Sequence, residues 1–168
     1  GQFLMCYSDY GKSKFLSYAK LNRKILGDIV VQGYNVIIVY NKNKDRILMC
    51  KRLKNPYKGL SNLVGGKIES GENGLDSAYR ELFEETSITK DDITLHHLMD
   101  FTYHYQNCYV EVYVGRLIRE VTVFGEENQL YWSDLNQNFF DVSLYAGEGN
   151  IGHMIEQVNL CKEILLCD

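Results

Sequence analysis

The stretch Arg80-Glu81-Leu82-Phe83-Glu84-Glu85-Thr86-Ser87-Ile88 sets the tightest limit on how this chain folds. Leu75, Ala78, Tyr79, Leu82 and Thr86 recur at helical spacing, about 100° per residue, and form one apolar stripe with Phe83 at its edge. Glu81, Glu84 and Glu85 fall together on another face, roughly 120° round. A helix over 75–87 therefore buries the first stripe and presents three carboxylates at a shared surface. Like charges three and four residues apart destabilise a helix by about a few tenths of a kcal/mol per pair. A solvated acidic face is the plain alternative, but such a face intermixes lysines at i+4 for support. Here the i+4 partners of Glu81 and Glu84 are Glu85 and Ile88. A cation is the expected counterweight. Clustered oxygens suit Mg²⁺ or a similar hard ion, which keeps positions free for water and substrate phosphates. Such an ion polarises a phosphoryl oxygen and generates a nucleophilic hydroxide.

The charge distribution agrees. Residues 66–88 hold six acids (Glu69, Glu72, Asp76, Glu81, Glu84, Glu85) against Lys67 and Arg80, an excess equal to the whole net charge of −4. An acidic spot on a balanced body argues against a nucleic-acid polymer as partner, which needs a basic face. The loop before the helix is rich in glycine. Gly65, Gly66, Gly71 and Gly74 allow close backbone approach to a ligand and positive φ. The Gly65 carbonyl is a candidate metal ligand, and Lys67 a candidate phosphate contact.

The 168 residues suit one domain, with residues 1–30 as an N-terminal extension. The strongest apolar run, Val36-Ile37-Ile38-Val39-Tyr40, is strand-sized, far below the ~20 residues of a membrane span, so no membrane partner is expected. The opening GQFLMC lacks the pattern of a signal peptide. Five cysteines without a CxxC pair argue against a disulfide framework or a zinc site and for reduced thiols in the cytoplasm. Residues 12–27 are basic with interleaved apolar positions and predict a short amphipathic helix. Residues 34–40 and 46–51 predict two strands joined by a turn. A short extended piece precedes Gly65, and 93–105 and 109–118 predict long strands that hold His96, His97, His104, Tyr103, Tyr105, Tyr109 and Tyr113. The histidines and tyrosines read as structural. A short helix is expected after Trp132-Ser133-Asp134, with Ser133 as its cap. Ile151, Met154, Ile155, Val158, Cys161 and Leu165 predict a C-terminal helix packed on one face. Alternating strands and helices predict an α/β fold, a mixed β-sheet with helices on both sides.

Gly66, five residues, Glu72, seven residues, then Arg80-Glu81-Leu82-Phe83-Glu84-Glu85-Thr86-Ser87-Ile88 resembles the Nudix box, Gx5Ex7REUxEExGU, with Ser87 in place of its last glycine. The resemblance implies an α/β/α sandwich around a mixed sheet. It implies hydrolysis of a nucleoside diphosphate linked to another moiety, with Mg²⁺ or Mn²⁺. It implies that Glu84 and Glu85 bind metal together with the Gly65 carbonyl. Glu81 would bind metal directly or through water, or act as base, and Arg80 would hold the carboxylates through Glu72 or Glu81. A further acidic ligand is expected from a loop before Trp132; Glu126 has better spacing than Glu127. Gly66, Gly71 and Glu72 are expected to shape the box.

The approach to the box, from Arg52 through Ser61-Asn62-Leu63-Val64, resembles MutT-like triphosphatases of oxidised purines. Asn62 matches a position where some of them read the purine; an amide both donates and accepts. A turn asparagine bonding its own backbone is the plain alternative. Arg52, Asn62, Lys67 and Glu148 are thus candidate substrate contacts, with Asn150 beside Glu148. A nucleoside triphosphate is the first substrate expectation. ADP-ribose, another nucleotide sugar or a dinucleotide is the second, and a binding module without turnover the third. A homodimer is left open by the sequence.

Overall fold

A computed structural model describes residues 31–125 and 128–167. Among these, six strands form one mixed sheet: β1 (Gln32–Tyr40), β2 (Arg46–Lys51), β3 (Ser61–Asn62), β4 (His96–Tyr103), β5 (Cys108–Arg116) and β6 (Gln129–Asp134). Three helices accompany them: α1 (Gly74–Thr86), α2 (Asn150–Leu160) and α3 (Lys162–Leu165). The N-terminal basic stretch and Cys6 lie outside the described residues.

β1 is the spine. It pairs in parallel with β5 over its whole length and antiparallel with β2 at the turn end. Its side chains alternate between two cores, as the pleat demands. Ile37 and Val39 join Leu48, Val64, Ala78, Leu82 and Tyr113 on the α1 side. Ile38 and Tyr40 join Met49, Val112, Ile151, Met154, Ile155 and Val158 on the α2 side. The expected sandwich is therefore present, with α1 and α2 on opposite faces.

β1 and β2 part beyond their turn, and the segment before the box enters there. Ser61 and Asn62 pair with β2, and then Val64 and Lys67 bridge to β1. The Ile37 and Asn35 amides donate to the Val64 and Gly66 carbonyls at 2.9 and 2.8 Å. On its other edge β2 pairs with β6 through six residues.

Four expectations need correction. No helix starts at Ser133; Trp132 and Ser133 lie inside β6, because Leu130-Tyr131-Trp132 supplies a β-favouring run that the free edge of β2 takes up. The C-terminal helix breaks at Cys161 into α2 and α3. Strand β4 is shorter than expected and bulged between His97 and Met99, and His104 lies in the turn that follows. Tyr105 sits in that turn too, 96% exposed, rather than on the sheet. Cys50, Cys108, Cys161 and Cys167 are free thiols, as expected.

Candidate active site

The acidic helix starts and stops on local chemistry. The Asn73 side chain accepts the Asp76 amide at 2.9 Å and caps the first turn. Glu111 of β5 brings a carboxylate against Gly74, where a Cβ would collide with it; an anion at a helix N-terminus is favourable. Tyr113 donates its hydroxyl to Glu111 at 2.5 Å. At the other end Ser87 adopts φ 63°, a left-handed conformation, and its amide donates to the Phe83 carbonyl at 2.8 Å. Serine thus performs the stop that glycine performs more cheaply.

Arg80 organises the carboxylates. Its Nε and Nη2 clasp the two oxygens of Glu72 at 3.0 and 2.9 Å. Nη1 donates to Glu81 at 2.7 Å and to Glu84 at 3.3 Å, and Nη2 also donates to the Lys67 carbonyl at 3.0 Å. This fixed fork is what a lysine cannot reproduce. It holds Glu72 down at about 2. The Arg80 guanidinium is pushed up by Glu72 first and Glu81 next. Glu81 is the more sheltered of its two helix partners, with 15% of its side chain exposed against 56% for Glu84.

The loop is built to meet these groups. Gly65 has φ 145°, and its amide donates to Glu85 Oε2 at 3.1 Å. A Cβ on Gly66 would strike the Glu81 carboxylate, so only glycine leaves room there. Beneath lies a polar pair that sequence reasoning missed. Asn35, 2% exposed, accepts the Gly66 amide at 3.2 Å and donates to Ser77 Oγ at 2.8 Å. Ser77 in turn donates to the Lys67 carbonyl at 3.1 Å. Asn35 and Ser77 fasten the loop to strand and helix at once. The available signal was a lone amide in the run Tyr34-Asn35-Val36-Ile37-Ile38.

Among the described residues, no three acidic, histidine or cysteine side chains converge on one point. Glu81 and Glu84 face Arg80, and Glu85 faces the Gly65 amide. The donor set still fits a hard divalent ion, because it is all oxygen and the space over Gly66 is already filled by a carboxylate rather than a methyl group. Glu81, Glu84 and Glu85 are the helix carboxylates that could contribute to such a site. Glu126 lies outside the described residues.

The expected substrate contacts divide into two groups. Lys67 is exposed beside the box, and its carbonyl rather than its ammonium makes the contacts seen. Gly71 is in an exposed turn with φ 86°. Asn62 accepts the Leu63 amide at 2.9 Å, the plain alternative for that side chain, though on a strand rather than a turn. Arg52 donates to the Pro56 carbonyl at 2.8 Å, and Glu148 accepts the Tyr57 hydroxyl at 2.7 Å. Ser61 exchanges backbone bonds with Leu144 and Ala146, which brings the Glu148 loop to the same sheet end as Asn62. His97 lies on Asp100 at 2.7 Å.

A model of the NUDIX domain matches residues 32–143. The chain belongs to the Nudix family. Its activity is accordingly of the pyrophosphohydrolase kind, on nucleotide anhydrides, and Nudix enzymes generally use divalent metal ions. No curated protein matches the sequence. Among solved structures, an Ap4A hydrolase from C. elegans shares 20% identity over 79% of this chain and 98% of its own, with a TM-score of 0.64. MutT, from work on Aliivibrio salmonicida and Vibrio cholerae, shares 20% identity over 77% and 98%, with a TM-score of 0.57. The NUDIX domain of Shewanella oneidensis NrtR, complexed with ADP ribose, shares 15% over 91% and 99%, with a TM-score of 0.61. These likenesses establish the fold. No described helix is long and apolar enough to cross a membrane.

Proposed function

We propose that this Nudix domain hydrolyses a nucleoside triphosphate, with a normal or oxidised purine, to the monophosphate and pyrophosphate. The observation that carries the reading is the Arg80 fork, which gathers Glu72, Glu81 and Glu84 while Glu85 reaches the Gly65 amide. Mg²⁺ or Mn²⁺ is the proposed ion. When bound, it polarises the phosphoryl group and lowers the pKa of water.

The chain's own residues supply the rest. Glu81, sheltered and oriented by Arg80, is the proposed base that takes the proton from the attacking water. Oxygen of that water bonds to phosphorus as the P–O bond bridging the α- and β-phosphates breaks, and the leaving group, pyrophosphate or nucleoside monophosphate according to the phosphorus attacked, carries away the electron pair. Glu84 and Glu85 hold the ion. Lys67 reaches the phosphates from the loop. Arg52, Asn62 and Glu148 face the nucleoside end. The support for a purine is the amide at Asn62 and the carboxylate at Glu148, both brought to one end of the sheet. A cytoplasmic setting is supported by the free thiols among the described residues.

Glu85→Gln tests the assignment. The variant folds, with an unchanged circular dichroism spectrum, and loses Mg²⁺-dependent turnover. Full turnover in that variant rules the mechanism out. A substrate panel with product analysis tests the rest: pyrophosphate from triphosphates supports the reading, whereas exclusive cleavage of ADP-ribose or dinucleotides into two phosphorylated halves replaces it.

A further inference from the structure

Two hooks meet beside β3, at the end of the sheet proposed above for the nucleoside. The first is the loop after β2. It is closed at its base, with the Arg52 amide donating to the Leu60 carbonyl and the Gly59 amide to the Arg52 carbonyl, and Arg52 Nε braces it on the Pro56 carbonyl. Tyr57 sits at its tip with φ 67°. The second hook is Gly147-Glu148-Gly149, with φ of 80°, 54° and 90°. It is sewn to β3 by the bonds between Ser61 and Leu144 and Ala146. The hooks touch through one contact, the Tyr57 hydroxyl donating to Glu148 Oε1 at 2.7 Å, 91 residues apart in sequence.

That contact does not account for its own geometry. Tyr57 and Glu148 are both non-glycine residues in the left-handed region, where a side chain clashes with its own backbone. Both are exposed. A hydrogen bond open to water stabilises less than two such backbones cost. Strain of this kind persists where a rigid surround imposes it, and it concentrates at ligand clamps.

The charge on Glu148 says what the clamp faces. A carboxylate repels phosphates, so it serves the neutral end of a nucleotide. The ends are connected through the chain: Ser61 bonds to Leu144 and Ala146 of the Glu148 loop, Asn62 pairs with Cys50 of β2, and three residues on the Gly65 amide meets Glu85. An ionised carboxylate only accepts hydrogen bonds. A tyrosine hydroxyl is protonated at neutral pH, so Tyr57 is the donor of the pair. Among the described residues Glu148 has no second hydrogen bond or ion pair, so its remaining acceptor sites are unspent. Beside it, Asn150 donates Nδ2 to the Tyr103 hydroxyl at 2.6 Å, which fixes a second polar group at the same rim.

We propose that Tyr57 is a positioning residue for base selection: by occupying one oxygen of Glu148 it fixes that carboxylate as an acceptor for a purine edge carrying adjacent N–H donors, as guanine does and adenine does not. This rests on the triphosphatase reading above.

The test compares wild type, Tyr57→Phe, Glu148→Gln and the double variant, as full chains, on GTP, ATP, CTP and UTP with Mg²⁺. Wild type is expected to favour GTP over ATP in kcat/KM. Tyr57→Phe lowers that ratio about 5- to 10-fold, mainly through KM, as the loss of one positioning bond does. Glu148→Gln lowers it at least as far, and the double variant falls no further than Glu148→Gln alone. A GTP-to-ATP ratio unmoved in Tyr57→Phe, or a wild type without preference for GTP, overturns the inference and leaves the triphosphatase reading standing. A wild type that cleaves no triphosphate with Mg²⁺ or Mn²⁺ ends that reading instead. GMP and AMP binding by calorimetry then decides the clamp: stronger GMP binding that Tyr57→Phe abolishes upholds it, and equal binding overturns it.

Discussion

Replacing Glu72 by glutamine tests the fork that shapes the site. In the folded protein Arg80 holds Glu72 at about 2, below an ordinary value of 4.5. Taken whole, that difference favours the ionised pair by roughly 3 kcal/mol. Arg80 is 31% exposed and Glu72 19%, so solvent screening brings the expected loss in Glu72→Gln to about 1–2 kcal/mol at pH 7. The pH dependence gives the sharper reading. A depressed carboxylate contributes its full stability above its unfolded value and loses it as pH falls through the folded one. At pH 5 nearly all the gap between wild type and variant persists. At pH 3 it shrinks to roughly two-fifths. Urea unfolding of both proteins at pH 7, 5 and 3 measures it, and other titrating groups cancel in the difference. A gap that stays constant from pH 7 to 3 refutes the argument, because it assigns the loss to packing instead of charge.

Three further outcomes follow from the geometry. Ser87→Gly relieves a left-handed serine and raises stability by about 1 kcal/mol in thermal unfolding, and a lower melting temperature contradicts that reading. Asn35→Ala leaves the Gly66 amide and Ser77 without their shared partner; a loss of about 1–3 kcal/mol is expected in urea unfolding, together with reduced turnover as the glycine loop loosens. Asp92 is held below the usual carboxylate range first by the Thr89 hydroxyl and amide and then by Arg119. Asp92→Asn therefore destabilises at neutral pH by about 1–2 kcal/mol, a difference that narrows as the medium is acidified below pH 4.

The site was readable wherever chemistry repeats at a fixed spacing. The stripe through Ala78 and Leu82 fixed the buried face of α1, and the resemblance to the Nudix box set Arg80 against Glu72 or Glu81, where the structure has it on both. Other features depend on partners far along the chain. Asn35 reads as an ordinary polar residue until Ser77 and the Gly66 amide are brought to it. Ser133 carries the signature of a helix cap, yet the edge of β2 claims its strand, a competition that no local window records. Tyr57 and Glu148 stand 91 residues apart, and neither is itself the glycine that a left-handed backbone favours.

The insertion of residues 61–67 between β1 and β2 has a kinetic consequence. The carbonyls of Val64 and Gly66 are clipped to amides in the central strand, so this glycine loop cannot flap without tearing the sheet. Breathing that admits a nucleotide, or lets its fragments depart, is thereby confined to the rim. Amide exchange should divide the protein accordingly, slow at Asn35 and Ile37 and fast at the tips of the two hooks.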